Sequence, residues 1–406
     1  MDSCTYQWDI VKKLSFNRPA GTDADRKAGD MIIAEIERLG GKAETETFSF
    51  DAYTIDKAVF SVVEPYEKNY EVTGIGMSGE IEGEFDFRYV ERATEFDMEG
   101  VDGGMVLINK LEGDQYKGVI NSPAECFVTV GGKFYETAET ADLGQIRLRK
   151  WLLDIGQKPG FLIRSRDAVE MVQNGASRVR CELKQHETKP ETRNIYSIIE
   201  GRELPDEYIT FSAHYDSVST GVGAFDNATG VAALFDLYRY FMENKPRRSM
   251  IFLWCGAEEL GLLGSRKFTL DHKDWMEKAK MEVNFDLTGP TIGYNGVSIM
   301  GDESVCEYVR NLAKEKKHSF VVNRGVASSD CNCFAAVGIP SFNFYRYGEA
   351  ELHNRHDVLF PLSAKTLGPT VGFVREFVLS CDEAEEWPID TKMPEDLAKE
   401  LEKAFK

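Results

Sequence analysis

The sequence predicts an α/β protein with a mostly parallel sheet flanked by helices, into which a β-rich domain is inserted. After residue 194, short apolar runs of strand character alternate with segments of helical spacing. This alternation is typical of a parallel sheet that is covered on both faces. Between about residues 51 and 189 the pattern changes to short β-like runs between glycine-rich and acidic turns, which indicates a separate module.

The segment before the insert supplies one helix and one strand. In GTDADRKAGDMIIAEIERLGG, apolar residues from Met31 to Leu39 recur at helical spacing, and the glycine pair ends the helix. The run KAETETFSF then alternates as a strand does. The stretch KQHETKPETRN, from Lys184 to Asn194, is polar and contains proline. We expect it to be a linker that returns the chain from the insert.

The region after the linker alternates between the two kinds of element. The predicted strands are YITFSAHYD, SMIFLWCG, MEVNFDLTG and IPSFNFY, and the predicted helices are ATGVAALFDLYRYFMEN, DESVCEYVRNLAKEK and SAKTLGPTVGFVREFVLSC. The tail DEAEEWPIDTKMPEDLAKELEKAFK is acidic and ends in a short amphipathic helix, which we expect to be peripheral.

Charge and composition exclude several classes of partner. The chain has 406 residues and a formal net charge of −20, which argues against binding to nucleic acid or to an anionic membrane surface. No signal peptide and no apolar run of membrane-spanning length is visible, so we expect a cytoplasmic location. The eight cysteines include no CxxC pair and are expected to be reduced there.

Each predicted strand of the α/β region is followed by acids or histidines. These residues are His214, Asp216, Asp226, Glu258, Glu259, Asp286, His353 and His356. Ligands of open α/β sheets bind beyond the carboxyl ends of the strands, so we expect these side chains to converge there. Nitrogen and oxygen ligands suit zinc. A ligand set of two histidines and three carboxylates from among these residues would be too large for one tetrahedral ion. Such a set would suit two ions that share a bridging carboxylate.

The ordered motifs AHYDS…FDNATG, GAEELGLLGS, NFDLTG, SSDCNCFAAVGIPSFNFY and HNRHD resemble the zinc peptidase family of the bacterial leucine aminopeptidases and glutamate carboxypeptidase. The resemblance spans about residues 195–375, and NRPAGTDADRKAGDMIIAEIERLG resembles the opening helix of that family. The β-rich segment is similar to a protease-associated insert. The resemblance implies a catalytic domain in two parts, residues 1–50 and 190–382. The insert between them occupies residues 51–189, and the acidic tail occupies residues 383–406.

The same resemblance implies roles for the residues after the strands. The implied zinc ligands are His214 and Asp286 for one ion, Asp226 as the bridge, and Glu259 and His353 for the second ion. Glu258 resembles the general base, and Asp216 resembles the acid that orients the first histidine. His356 is an alternative to His353, but the family has an acid four residues after the ligand, and Asp357 has that spacing from His353.

The function expected from this resemblance is hydrolysis of peptide bonds by a two-zinc aminopeptidase. Glu349 and Glu351 are candidates for binding the substrate ammonium group. A carboxypeptidase of the same family is the alternative, and it would need an arginine to bind the terminal carboxylate, for which Arg324, Arg346 and Arg355 are candidates. A non-catalytic relative and a single-zinc cyclase share the fold. A peptide is the expected partner, and the sequence does not decide the oligomeric state.

Two further motifs lie close to these residues in the sequence. Cys331 stands where family members often have histidine, and we expect it and Cys333 to be buried structural thiols, with a third metal or a regulatory role as the alternative. Asn227 begins an Asn-Ala-Thr glycosylation pattern, which we interpret as a coincidence.

Overall fold

A computed structural model describes residues 2–405 of the chain. Its contacts divide the chain into two compact units. The first consists of Met1–Ser49 together with Glu191–Lys406, and the second consists of Phe50–Pro190. The second unit is therefore an insertion within the sequence of the first.

The elements are numbered in chain order. The helices are α1 (Ser3–Leu14), α2 (Asp23–Arg38), α3 (Gly113–Asn121), α4 (Lys150–Leu153), α5 (Ser165–Gln173), α6 (Thr229–Glu243), α7 (Leu263–Asp271), α8 (Lys273–Met276), α9 (Glu303–Glu315), α10 (Cys331–Ala336), α11 (Ala364–Asp382) and α12 (Glu395–Ala404). The strands are β1 (Glu44–Ser49), β2 (Ala52–Glu64), β3 (Lys68–Tyr70), β4 (Val72–Gly74), β5 (Ile81–Tyr89), β6 (Met105–Ile108), β7 (Cys126–Gly131), β8 (Gly160–Arg164), β9 (Arg178–Thr188), β10 (Glu191–Ile199), β11 (Leu204–His214), β12 (Arg248–Cys255), β13 (Ala279–Thr288), β14 (Gly293–Met300), β15 (Val321–Arg324) and β16 (Ser341–Gly348).

The first unit is built on an eight-stranded sheet with the order β1-β10-β12-β11-β13-β16-β14-β15. The four central strands β12, β11, β13 and β16 are parallel to one another. Antiparallel pairs join β10 to β12, β1 to β10 and β14 to β16. The parallel centre with helical connections confirms the predicted α/β fold.

Burial on both faces explains the composition of the central strands. Every residue of β12 is buried, and its apolar sequence is typical of a strand covered by helices on both sides. On one face, α6 packs Phe235 and Tyr238 against Trp254, with ring centroids 4.5 and 5.9 Å apart. This packing holds the parallel strands so that their carboxyl ends form a single edge.

The second unit has its own sheet and its own core. Its strands have the order β3-β2-β9-β5-β6-β7-β8-β4, and β5, β6, β7 and β8 pair in parallel. The core includes an edge-to-face pair of Phe60 and Phe161, whose ring centroids are 5.8 Å apart. The resemblance of this unit to a protease-associated domain stays a prediction.

The expected linker from Lys184 to Asn194 is wrong. In the structure β9 continues to Thr188 and β10 begins at Glu191, so that only two residues lie between the strands. The segment contains charged residues whose side chains pair with other charged side chains on the sheet surface. Lys184 Nζ, for example, lies 2.8 Å from Glu182 and 3.6 Å from Glu82 of β5. Such charged strand surfaces resemble linkers in composition.

The expectation of a peripheral tail helix is wrong, because the helix of the acidic tail packs into the first unit. Leu397 and Leu401 of α12 are buried in a small cluster with Met300, Cys331 and Ala335. Asp396 at the start of α12 accepts hydrogen bonds at 2.7 and 2.9 Å from the guanidinium group of Arg324. The tail helix thus packs against α10, which contains Cys331 and Ala335.

Removing the Leu401 side chain tests this packing. Leu401→Ala leaves a cavity beneath α12 and should lower the free energy of unfolding by about 2–5 kcal/mol. Leu270→Ala is the matched control, because Leu270 is 50% exposed whereas Leu401 is 2% exposed. Urea unfolding followed by circular dichroism measures both variants. Equal losses of stability in the two variants would contradict the packing of the tail.

Candidate metal centre

Six ionisable side chains converge at the carboxyl edge of the parallel strands. His214 is the last residue of β11, Asp286 lies near the end of β13, Asp226 lies in an irregular turn before α6, Glu258 and Glu259 follow β12, and His353 follows β16. Their ligand atoms form two groups, and within each group all atoms lie within 4.8 Å of one another. One group contains His214, Glu258 and Asp286, and the other contains Asp226, Glu259 and His353.

Asp226 joins the two groups. Its Oδ1 lies 3.1 Å from Nε2 of His214, and its Oδ2 lies 3.0 Å from Nε2 of His353. Each carboxylate oxygen therefore faces a different histidine. This is the arrangement that a bridging carboxylate requires.

The remaining distances complete the two groups. Nε2 of His214 lies 3.5 Å from Oδ1 of Asp286, and Nε2 of His353 lies 3.1 Å from Oε2 of Glu259. Two atoms bound to one tetrahedral zinc at 2.0–2.1 Å are about 3.3 Å apart. The spacings of the donor atoms are therefore compatible with tetrahedral zinc, and the donor chemistry fits this ion.

The electrostatics also favour a cation at this edge. Burial lowers the pKa of His214, but the surrounding carboxylates, Glu258 foremost, outweigh burial and hold this pKa well above its usual value. Hydrogen bonds to Asp226 and Glu259 raise the pKa of His353 to about 10. Burial raises the pKa of Glu258 well above its usual range. So many buried carboxylates close together are stabilised by positive charge.

Asp216 connects the first histidine to the loop after β12. Its carboxylate accepts hydrogen bonds from the main-chain N–H groups of Glu258 at 3.0 Å and of Glu259 at 3.3 Å. Its Oδ1 lies 3.6 Å from Nδ1 of His214, outside hydrogen-bond distance. Asp216 thus lies beside the histidine and holds the Glu258-Glu259 loop, whereas its role in orienting the histidine stays a prediction.

Two residues near the centre have roles that the motifs alone did not reveal. Asp357 accepts hydrogen bonds from the main-chain N–H groups of Phe225 at 2.6 Å and of Asp226 at 3.0 Å, so it holds the main chain of the turn that carries Asp226. Asn227 is buried, and its Nδ2 donates to the carbonyl oxygen of Phe285 at 2.8 Å. A buried side chain with this partner agrees with our interpretation of the glycosylation pattern as a coincidence.

Two alternatives from the sequence can be placed in the structure. Of the two histidines after β16, His353 is the one in a ligand group found among residues 2–405, and His356 is not. Cys331 and Cys333 are buried, and neither belongs to such a group within the same residues. The assignment of roles to individual site residues stays a prediction.

Comparison with known proteins agrees with this geometry. The sequence profile of peptidase family M28 matches residues 194–378, which include the six side chains of the two groups. The expected resemblance to a zinc peptidase family and the expected class of metallopeptidase are thereby confirmed. Zinc fits the donor groups of this centre, whereas the number of ions stays a prediction.

Solved structures share the fold of this chain. BSAP, a zinc aminopeptidase from Bacillus subtilis, aligns with a TM-score of 0.79 over 97% of this chain and 98% of its own at 20% identity. An aminopeptidase from Aneurinibacillus sp. strain AM-1 aligns with a TM-score of 0.76 over 95% of this chain and 96% of its own at 19% identity.

Related sequences are named vacuolar membrane proteases. The protein from Saccharomyces cerevisiae is 38% identical over 99 residues, which are 24% of this chain and 10% of the relative. The protein from Schizosaccharomyces japonicus is 39% identical over 146 residues, which are 34% of this chain and 16% of the relative. The aligned regions thus span a small part of these relatives.

These names correct one expectation from the sequence. The expected cytoplasmic location is wrong on this comparison, because the relatives are named for the vacuolar membrane. The expectation rested on the absence of a visible signal or span. Between residues 2 and 405, no helix is long and apolar enough to cross a membrane.

Substitution of the bridging carboxylate tests the geometry of the centre. Asp226→Ala should lower zinc binding at both groups, because its two oxygens face both histidines, whereas Asp286→Ala should affect one group only. Zinc content after dialysis, measured by atomic absorption, distinguishes the two outcomes. Asp274→Ala, at an exposed position of α8, is the control. Equal zinc loss in the Asp226 and Asp286 variants would argue against a shared carboxylate.

Proposed function

We propose that this protein is a two-zinc aminopeptidase, which removes residues from the free amino end of peptides. One observation carries the proposal above the others. The two oxygens of Asp226 lie 3.1 and 3.0 Å from Nε2 of His214 and of His353, respectively, so one carboxylate can serve two ions. In this proposal Asp286 completes the first set of ligands, and Glu259 completes the second.

Glu258 is the proposed general base. Bound zinc supplies Lewis acidity, which activates a water molecule and polarises the carbonyl group of the scissile bond. Glu258 then takes the proton of the attacking water and passes it to the leaving amine. Its carboxylate is close enough to do so, because its oxygen lies within 4.8 Å of the ligand atoms of His214 and Asp286.

The loop after β12 keeps Glu258 and Glu259 in different roles. Glu258 lies with His214 and Asp286, whereas Glu259 lies with Asp226 and His353, so the two adjacent side chains reach different groups. Asp216 fixes this loop by accepting the N–H groups of both residues. A single buried carboxylate thereby orients the base and a ligand together.

The partners of two arginines favour an aminopeptidase over a carboxypeptidase. Arg324 uses its guanidinium group on Asp396 of the tail helix and on the carbonyl oxygen of Gly301. Arg346 donates to the carbonyl oxygen of Pro290 at 2.7 Å and to Asn295 at 3.0 Å. Both groups are engaged in structural contacts, which leaves them poorly placed to bind a substrate carboxylate.

Acidic side chains suit the opposite end of a peptide. Glu349 and Glu351 lie between β16 and His353, and both are exposed. Glu351 accepts a hydrogen bond from Nδ2 of Asn354 at 2.9 Å, which keeps its carboxylate on the loop that carries His353. Carboxylates near the ligands would bind the free ammonium group of a substrate.

Replacement of the proposed base tests the mechanism. Glu258→Gln keeps the shape of the side chain but cannot accept a proton, so turnover should fall about 10²–10⁴-fold. Zinc content should stay close to that of the wild type. Glu259→Gln is the comparison variant and should lose zinc as well as activity. Zinc loss in Glu258→Gln would instead make Glu258 a ligand.

Blocked peptides test the direction of cleavage. One apolar peptide is offered free, amino-acetylated and carboxy-amidated, and the products are separated by liquid chromatography. We expect cleavage of the free and amidated forms and none of the acetylated form, because an aminopeptidase must bind the free ammonium group. Cleavage that survives acetylation and stops on amidation would establish a carboxypeptidase.

A further inference from the structure

Arg18 lies fully buried beside the metal centre, and its guanidinium group binds main-chain carbonyl oxygens. Its guanidinium group donates to carbonyl oxygens both in its own segment and in the loop after β11. These acceptors are Tyr215 at 2.6 Å, Leu14 at 2.7 Å, Phe16 at 3.2 Å, Val222 at 2.7 Å and Gly223 at 2.8 Å. None of these hydrogen bonds of Arg18 ends on a carboxylate. A buried arginine that donates hydrogen bonds to several carbonyl oxygens holds the main chain of those residues in one conformation.

The preceding residue binds the other part of the same loop. Nδ2 of Asn17 donates to the carbonyl oxygens of Val218 at 3.0 Å, Ser219 at 2.8 Å and Gly221 at 2.7 Å. The main chain adds a reciprocal pair, since the N–H group of Arg18 donates to Oγ of Ser217 and the N–H group of Ser217 donates to the carbonyl oxygen of Arg18. Asn17 and Arg18 therefore bind the loop 215–223 along its length.

This loop joins two proposed metal ligands, His214 at the end of β11 and Asp226 in the turn before α6. His214 precedes it, and Asp226 follows it by three residues. Gly223 has a φ of 59°, and a Cβ atom there would lie 2.8 Å from Nη1 of Arg18 and 2.6 Å from the carbonyl oxygen of Asp226. The loop is thus packed directly against the guanidinium group, with no room for a side chain between them.

The charge of Arg18 also acts on the centre. Burial lowers the pKa of Arg18 to about 10, so its guanidinium group is protonated at neutral pH. Its positive charge interacts with the carboxylates of Asp357, Asp216 and Asp226. Repulsion among these carboxylates would otherwise push the loop and the ligands apart.

We propose that Asn17 and Arg18 are positioning residues of the metal centre, which set the spacing of His214 and Asp226 by binding the main chain of the loop between them. The inference rests on the proposed metal centre, but it concerns residues that do not touch a metal. It extends the role of the segment NRPAGT, which the sequence offered only as part of an opening helix.

Lysine at position 18 would keep the charge but lose the geometry. An ammonium group has three donors at one point, whereas the guanidinium group spreads five donors over a plane. Lysine cannot therefore reach all the carbonyl oxygens that Arg18 binds. Arg18→Lys therefore tests whether the loop is positioned by the hydrogen bonds of the guanidinium group or by its positive charge alone.

The experiment titrates metal-free protein with zinc in competition with a chromophoric chelator, and with cobalt, whose visible absorption reports the ligand geometry. Arg18→Lys should bind zinc about 10- to 100-fold more weakly and should change the cobalt spectrum. Asn17→Ala should show the same effects to a smaller degree. Arg26→Lys is the matched control, because the Arg26 side chain is 63% exposed and pairs with Asp23.

Thermal unfolding of the metal-free proteins separates positioning from general stability. Zinc affinities and cobalt spectra like those of the wild type in both Arg18→Lys and Asn17→Ala would overturn the inference and leave the metal centre intact, even if unfolding temperatures fell. Where Arg18→Lys does not fold, Asn17→Ala decides by the same criterion. A wild-type protein that binds no zinc would overturn the proposed function as well.

Discussion

The carboxylate of Asp226 lies between two histidines that come from distant parts of the chain, and the centre is arranged around this shared position. Asp357 binds the N–H group of Asp226, and the next residue, Asn227, is tied to the end of β13. His214 reaches the carboxylate from β11, and His353 reaches it from the loop after β16. A small shift of any of these segments would break the link between the two groups.

Much of this arrangement follows from the sequence because parallel strands place their carboxyl ends at one edge. The apolar runs that end at His214 and before Glu258 are central strands in the structure, and Asp286 lies near the end of a third. The choice of His353 over His356 had a weaker basis in the residues alone, since both follow the same strand. It needed the spacing to Asp357, whose carboxylate in the structure holds the main chain of the Asp226 turn.

Other features could not be predicted because their partners are main-chain atoms or distant surfaces. Arginine in a loop with proline and glycine gives no sign that it binds carbonyl groups about two hundred residues away, as Arg18 does. The charged strand β9 had the composition of a linker because its partners across the sheet lie far away in the sequence. A location in the cell is likewise not encoded in the packing of these elements.

The insertion leaves and re-enters the main sheet at one place. Ser49 of β1 lies opposite Glu191 of β10, and the N–H group of Phe50 donates to the carbonyl oxygen of Pro190 at 3.2 Å. In topological terms, residues 50–190 form the connection between two antiparallel strands, and this connection is itself a folded unit. Antiparallel strand ends that face each other can also be joined by a two-residue turn. The register of β1 on β10 is therefore compatible with connections of very different length, so this site can gain, lose or exchange a module while the strands that carry the ligands keep their alignment.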